Sequence, residues 1–365
     1  MQDFIALALG LAQQSLLLSS PNPHVGCVLT SAEGQLLGQG FTQRVGGPHA
    51  EIMALRDAQA QGHSLLGATA YVTLEPCSHQ GRTGPCCDAL IAAGIKKVVA
   101  SLADPNPLVG GQGFARLRAA GIEVEVGPGA AQSRELNIGF FSRMLRRTPW
   151  VRLKLAASLD GKTALENGAS QWITSEEARS DGHAWRARAC AVLTGIGTVL
   201  ADDPRFDVRH VPTERQPQLV LLDNRLEAPL GAKLFAVQRA CHIYTANQDA
   251  ARRAALEARG ARVCHLPGTD QRVDLAAMLR DLAEHEINEL HVEAGARLNG
   301  ALIESGLVDE IVLYLAPKMI GKGRDMASFG PLATLSEALA LEFISGDRIG
   351  PDLRIVARIA GRDRF

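Results

Sequence analysis

Aromatic side chains are scarce, only 4% of 365 residues. Cores must therefore close on Ala, Leu, Val and Ile. Net charge is nearly absent as well, −1 at neutral pH with a pI of about 6.8. That balance excludes large-scale attraction to nucleic acid or anionic membrane, while leaving room for a local basic pocket. No apolar run reaches the ~18 residues of a membrane span. The start, Met1-Gln2-Asp3-Phe4, has no basic region ahead of a long apolar core, so no secretory signal is expected and the chain reads as cytoplasmic. A disulfide framework is missing too, because seven Cys is an odd number without small-scaffold spacing. Clustered Cys and His then point to a metal.

What remains is the balance of an ordinary globular protein, 46% apolar and 21% charged. At roughly 100–200 residues per domain, the length suggests two domains. Apolar positions at helical spacing (Phe4, Leu7, Ala8, Leu11, Ala12) predict a helix over residues 3–18, ended by Pro21-Asn22-Pro23. Val25–Leu29 is β-rich, and Glu33-Gly34 reads as a hairpin turn into 36–40. A helix over 49–60, a strand 71–74, a helix 86–93, a strand 98–100, a helix 114–120 and a strand 122–126 follow. This alternation indicates an α/β sandwich with a largely parallel half. Arg146-Arg147-Thr148-Pro149 is the linker candidate, giving domains 1–146 and 147–365. Beyond it, strands 151–155, 191–194, 219–222, 261–266, 289–293 and 310–315 alternate with helices 176–189, 249–259, 273–284 and 298–305. That is a second α/β domain.

The chemistry of the first domain sits in Pro48-His49-Ala50-Glu51, Glu75-Pro76-Cys77 and Pro85-Cys86. His49, Cys77 and Cys86 supply three zinc ligands and leave a fourth position open for water, the plan of a catalytic site. Zinc lowers the pKa of bound water toward ~7. Glu51, two residues after His49, is placed to shuttle protons without being a ligand. Pro48 and Pro85 precede the ligands at helix starts, where a missing N–H costs nothing. Both helix N-termini then favour thiolate and hydroxide. Cys87 competes with Cys86, which is preferred because it directly follows Pro85. His79 is assigned to the loop, His24 and His63 to plain loops, and Cys27 to the core.

H-x-E with P-C-x-x-C is the zinc-deaminase pattern. Here nine positions separate Cys77 from Cys86 in place of three. Glu75-Pro-Cys-Ser-His-Gln-Gly-Arg-Thr, with that spacing, resembles the pyrimidine deaminase half of the bifunctional riboflavin-biosynthesis deaminase–reductase family. Asn22-Pro23 ahead of Val25-Gly26 matches that family's substrate loop. Gly84 departs from it, since the family usually has a second Pro there, which implies a looser loop and no lost ligand.

In the second domain, Gly195-Ile-Gly-Thr198 and Gly295-Ala-Arg-Leu-Asn-Gly300 each follow a strand and open a helix, as phosphate-binding turns do. Neither is a full dinucleotide fingerprint. Lys154-Leu-Ala-Ala-Ser-Leu-Asp160-Gly-Lys, Ser170-Gln-Trp172-Ile-Thr, Thr198-Val-Leu-Ala-Asp-Asp-Pro and Val292-Glu293-Ala-Gly resemble the reductase half of the same family. The resemblance implies a cytidine-deaminase-like three-layer α/β/α domain followed by a dihydrofolate-reductase-like α/β domain that uses NADPH. It implies cofactor contacts from Ala156, Trp172, Thr198, Asp202, Asn224 and the loop Gly295, Ala296, Arg297, Leu298, Asn299, Gly300 and Ala301. It implies substrate contacts from Ser170, Arg186, Phe206, Arg209 and Glu293. Arg186 and Arg209 offer forked donors suited to a ribose phosphate. Lys154, on an apolar strand, needs a partner, either Asp202 or Glu293. Lys154, Asp202 and Glu293 together are expected to polarise the sugar as hydride reaches its first carbon, the proton donor among them being open.

The implied function is deamination of a phosphoribosylamino-diaminopyrimidinone, then reduction of its ribosyl group to ribityl. The partners are zinc, NADPH, a small phosphorylated pyrimidine and a second copy of the chain, without nucleic acid or membrane. Two other readings compete. A nucleic-acid editor would show a basic face, which the near-even charge of residues 1–150 lacks. A structural zinc module would need a fourth protein ligand, Cys87 or His79.

Overall fold

The computed structural model describes residues 3–79 and 84–365. The chain divides into two compact units, Met1–Arg147 and Thr148–Phe365.

In the first unit, α1 (Phe4–Gln14), β1 (Gly26–Thr30), β2 (Leu36–Phe41), α2 (Ala50–Ala60), β3 (Thr69–Val72), α3 (Cys86–Ala92), β4 (Lys97–Ala100), α4 (Gln112–Ala119), β5 (Glu123–Val126), α5 (Ala130–Leu136) and α6 (Ile138–Arg146) follow in order. The sheet order is β2-β1-β3-β4-β5. β1 runs antiparallel to β2 and β3, while β3, β4 and β5 are parallel. Period-2 alternation splits the core between two faces. Cys27, Leu29, Val72 and Val98 pack with Ala54, Ala58, Leu90 and Leu117 from α2, α3 and α4. Val28 and Val99 pack with Ala8, Leu9 and Leu136 from α1 and α5. The result is the three-layer sandwich.

Small residues replace the missing aromatics. A Cβ on Gly38 would meet the Ala54 carbonyl oxygen at 2.4 Å, and one on Gly40 the Ala54 nitrogen at 2.6 Å. Only glycine lets α2 lie this close on β2, and that fixes where its first turn ends up. Three expectations are corrected. The first helix stops at Gln14, and α5 and α6 carry the chain up to the boundary where no helix was expected. His24 is no plain loop residue. It is buried, with Nδ1 2.8 Å from Ser19 Oγ, and Asn137 pairs with both its main-chain N–H (2.7 Å) and its carbonyl (3.0 Å). The partner lies 113 positions away, so no local pattern announced it.

The second unit comprises β6 (Trp150–Ser158), β7 (Lys162–Leu165), α7 (Glu176–Arg188), β8 (Ala191–Gly195), α8 (Ile196–Asp202), β9 (Gln218–Leu222), β10 (Cys241–Thr245), α9 (Ala250–Glu257), β11 (Ala261–His265), α10 (Leu275–Glu284), β12 (Glu289–Val292), α11 (Ala296–Glu304), β13 (Glu310–Ala316), β14 (Gly323–Asp325), β15 (Leu341–Ile349) and β16 (Asp352–Ile359). The main sheet runs β11-β10-β9-β8-β12-β6-β13-β16-β15, while β14 pairs with β7 apart from it. Strands β11 through β13 are parallel, and the closing β16 and β15 are antiparallel. Strand β10 and the β15–β16 hairpin had not been expected. β10 follows a Pro- and Gly-punctuated stretch, and β15 is exposed along much of its length, so neither offers a clean buried period.

Chain order sets up a crevice. β8 leads outward to β9, whereas the neighbouring β12 leads the other way, past β6, to β13. Their outgoing connections diverge, leaving a gap at the C-terminal ends of β8 and β12, the place where open α/β sheets bind ligands.

Candidate active sites

Two local signals build the first site. His49 is the N-cap of α2 and Pro85 that of α3, so His49 and Cys86 sit at the first turns of helices that pack in the same layer. Cys77 follows the end of β3. His49 Nδ1 lies 3.6 Å from Cys77 Sγ and 3.4 Å from Cys86 Sγ, and the three ligand atoms all fall within 4.8 Å of one another. A tetrahedral zinc with Zn–S ~2.3 Å and Zn–N ~2.0–2.1 Å requires N···S separations of about 3.6 Å. The residues fit the ion without rearrangement. The Cys86 N–H donates to Cys77 Sγ (3.3 Å), and Cys86 and His49 together hold the Cys77 thiol well below its usual range. Cys87 is excluded from the set, because its buried thiol turns to the Pro76 (3.1 Å) and Gly113 (3.6 Å) carbonyls. His79 is exposed and stands outside the cluster. Gln80–Thr83, in the long insertion, lie outside the described residues.

Glu51 is 4% exposed at the start of α2. Burial, then the charge of Cys77, pushes its carboxyl up to about 7. A carboxyl balanced near neutrality beside three ligand atoms suits both taking and giving a proton. Asn22 is half-buried in the loop pinned by the His24–Asn137 pair, and its main-chain N–H donates to the Ser19 carbonyl (2.9 Å).

Glu75 was read only as part of a motif, but it organises the surroundings. Its buried carboxylate accepts main-chain N–H bonds from Asp104 (3.0 Å), Gly111 (2.9 Å), Gly113 (2.8 Å) and Phe114 (3.2 Å). It caps α4 and ties the loop after β4 to the segment carrying Cys77. An acid two residues before a ligand was the available signal.

In the second unit, one face of β6 carries Val151, Leu153 and Leu155 into an apolar core. The other face carries Arg152 and Lys154 beneath α7. Parallel register sets His291 beside Arg152 and brings Glu293, just past β12, level with Lys154. Lys154 Nζ lies 4.0 Å from Glu293. Glu293 also takes a two-pronged bond from Arg186, at 2.6 and 2.9 Å. Burial lowers the Lys154 pKa, against the pull of Glu293, while Arg186 and Lys154 hold the Glu293 carboxyl well below its usual range despite burial. The partner of Lys154 is thus Glu293. Asp202 is exposed at the end of α8 with no side-chain partner among the described residues.

Arg186 is engaged on two sides. Its fork closes on Glu293, and its remaining nitrogen donates to the Asp207 carbonyl (2.6 Å). Arg209 keeps half its side chain exposed and pairs through one nitrogen with Asp207 (2.7 Å). Phe206 is buried with Arg186 Cζ 6.0 Å from its ring centroid. Deeper along the same face, Arg152 bridges Glu289 (2.6 Å) and Glu310 (2.5 Å), and Arg188 and Arg358 complete a buried ion network that the sequence reading missed. The partners of Arg152 come from two other strands, β12 and β13, so no local pattern pointed to them.

Two of the cofactor candidates, Thr198 and the Gly295 turn, meet at the crevice. A Cβ on Gly295 would lie 4.0 Å from Thr198 Oγ1, and one on Gly195 3.3 Å from Leu298, so the two glycine turns meet. Leu298 and Asn299 N–H groups return to the Gly295 carbonyl, leaving those of Ala296 and Arg297 for a ligand. Buried Thr194 Oγ1, one residue before the first turn, has no partner among the described residues. These features fit a dinucleotide pyrophosphate. Asn299 and Gly300 serve packing. The Asn299 amide donates to the Met326 carbonyl (2.8 Å), and a Cβ on Gly300 would collide with the Ser328 carbonyl at 1.7 Å. Ala301 lies beyond them in α11. Asn224 is half-buried at the end of β9, its Oδ1 accepting the Val273 N–H (2.9 Å). Ala156 is half-buried on β6, Ser170 is half-buried and Trp172 is exposed.

The description "Cytidine and deoxycytidylate deaminase zinc-binding region" matches residues 1–102, and "RibD C-terminal domain" matches residues 149–355. The chain is 43% identical to the riboflavin biosynthesis protein RibD of Escherichia coli, over 97% of this chain and 98% of that one. It is 42% identical to the Aquifex aeolicus protein of the same name, over 97% of each. Among solved structures, it matches Acinetobacter baumannii RibD with a TM-score of 0.89 at 39% identity, covering 97% of both chains. It also matches a Thermotoga maritima protein described as a diaminohydroxyphosphoribosylaminopyrimidine deaminase and phosphoribosylaminouracil reductase, with a TM-score of 0.85 at 32% identity over 98% of both. With a zinc-deaminase sandwich and an NADPH-type reductase sheet in the family's order, the chain belongs to the RibD family, the bifunctional deaminase–reductases of riboflavin biosynthesis.

Proposed function

We propose that the first unit deaminates a phosphoribosylamino-diaminopyrimidinone and the second reduces the ribosyl group of the product to ribityl. The observation that carries the first step is the buried Glu51 beside the His49–Cys77–Cys86 triangle. Zinc, held by those three side chains, supplies a water acidic enough to react at neutral pH. Glu51 takes a proton on its carboxylate, gives it to a ring nitrogen and later protonates the departing amine, so that water and C–NH2 become C=O and ammonia. Asn22 borders the substrate.

NADPH, held at the crevice, supplies the hydride. Ala156, Trp172, Thr198, Asp202, Asn224 and the Gly295 turn are the cofactor contacts. Ser170, Phe206 and Arg209 face the substrate, Arg209 having donors left for its phosphate. Arg186 holds Glu293 in place. Glu293, held ionised by the Arg186 fork, has no proton to give, which leaves Lys154 as the donor of this pair. As hydride reaches the first carbon, the bond from that carbon to the ring oxygen breaks, and Lys154 delivers the proton that turns the freed oxygen into a hydroxyl.

Feeding the deaminase substrate to the purified protein tests the assignment. Ammonia without NADPH, and a ribityl product only with it, is the expected pattern; a ribityl product without ammonia release would overturn the order.

The family reading also points to self-association. Edge strand β15 exposes Leu341, Phe343 (78%) and Ile344, an apolar edge that a second copy of the chain would cover. Light scattering should give a dimer mass or larger, and Phe343→Lys should lower it.

A further inference from the structure

Three loops at the C-terminal ends of β6 and β13 are tied together by contacts with no part in the chemistry above. Lys318, exposed just past β13, donates Nζ to the carbonyls of Trp172 (3.1 Å) and Ile173 (2.7 Å). Its own loop is anchored in turn. The Lys318 carbonyl accepts the Leu159 N–H (2.8 Å). The Asp160 carboxylate, just past β6, accepts the N–H groups of Ile320 (3.1 Å) and Gly321 (2.7 Å) and the Ser158 hydroxyl (2.6 Å). On the other side, Arg179 of α7 stacks its guanidinium 4.4 Å from the Trp172 ring centroid. The indole is 62% exposed, so core packing does not hold it. An exposed ring on a main chain fixed from two sides is a platform built to receive something flat.

We propose that Lys318 is a positioning residue that holds segment 170–174 as a shelf for the NADPH cofactor, with Asp160 fixing the loop from which Lys318 reaches. This rests on the reading of Trp172 as a cofactor contact. A segment with so little buried surface would otherwise be ordered at the moment of binding, and that cost would be subtracted from affinity. Lys318 meets it in advance with two charge-assisted bonds across 146 positions of sequence.

NADPH is titrated into the full-length protein, followed by energy transfer from tryptophan to the nicotinamide and by calorimetry. Lys318→Met should weaken NADPH binding about tenfold, the size of one lost charge-assisted bond. The KM for NADPH should rise by a similar factor, while kcat at saturating cofactor falls less. Lys318→Arg, which keeps charge and donors, should recover most of the affinity. Unchanged NADPH affinity in Lys318→Met overturns the proposal. So does parallel loss of kcat, affinity and thermal midpoint without rescue by Lys318→Arg, the mark of a generic structural contact. Trp172→Ala separates the two levels. If it weakens binding while Lys318→Met does not, only the positioning role falls. If neither weakens it, the cofactor reading of the segment falls as well.

Discussion

The two units solve the same problem, placing charged chemistry inside a fold, in opposite ways. The deaminase site takes its ligands from helix starts and a strand end, so sequence-local geometry does most of the placing. His49 and Glu51 sit within one turn of α2, and Cys86 opens α3. The proposed reductase site draws Lys154, Arg186 and Glu293 from β6, α7 and the end of β12, up to 139 positions apart (293 against 154), and binds them by ion pairs. A site fixed by local geometry tolerates having few partners. A site assembled from distant strands depends on every charge being answered, because an unpaired buried charge is costly.

The contrast can be tested from its strongest consequence downward. Glu51→Gln keeps the ligand triangle intact, so zinc content should be unchanged while deamination falls by about 10³-fold. Metal analysis and ammonia release check this, with reduction of separately supplied deaminated substrate as an internal reference. Retained deamination would mean the proton shuttle lies elsewhere.

Glu75→Ala strips the acceptor from four main-chain N–H groups at once. A loss of about 3 kcal/mol is expected in the unfolding of the deaminase unit. Urea titration measures it, and the transition of the reductase unit should not move.

Lys154→Met should lower reductase turnover about 10²-fold while leaving ammonia release intact. It also leaves Glu293 with Arg186 as its remaining strong partner. Unchanged turnover would remove Lys154 from the mechanism.

At neutral pH the last effect is silent, and it grows only on acidification. Burial presses His291 down to about 3 from an ordinary value near 6.5, so the folded unit holds it neutral. Below about 6.5 the unfolded chain takes up a proton that the folded one refuses. Stability is therefore lost as pH falls from about 6.5 toward 3, by about 1.4 kcal/mol per pH unit at most. Glu289, held down to about 2 by Arg188 and Arg152 against burial, adds loss of the same sign below about 4.5. Denaturation of the reductase unit at a series of pH values should show the slope, and His291→Asn should flatten it above pH ~5.

Legibility followed the same divide. Cys86 was separated from Cys87 by the proline before it, and the structure turns Cys87 into the core. The meeting of the Gly195 and Gly295 turns was half legible, since each turn was visible alone while their adjacency depends on strand order. The closing of Arg186 on Glu293, the exposure of Asp202, the burial of His24 and the reach of Lys318 were not legible at all. Each depends on which strand or loop lies next to which.

By itself the sequence brought out the triangle of His49, Cys77 and Cys86, the acid beside it and the order of two α/β units, because helix starts, prolines and period-2 strands act within a few residues. Only the tertiary structure decided which charges pair, which glycines admit a close neighbour and which loops are tethered. Those depend on register and strand order, set by the packing of the whole unit and not by any one stretch of chain.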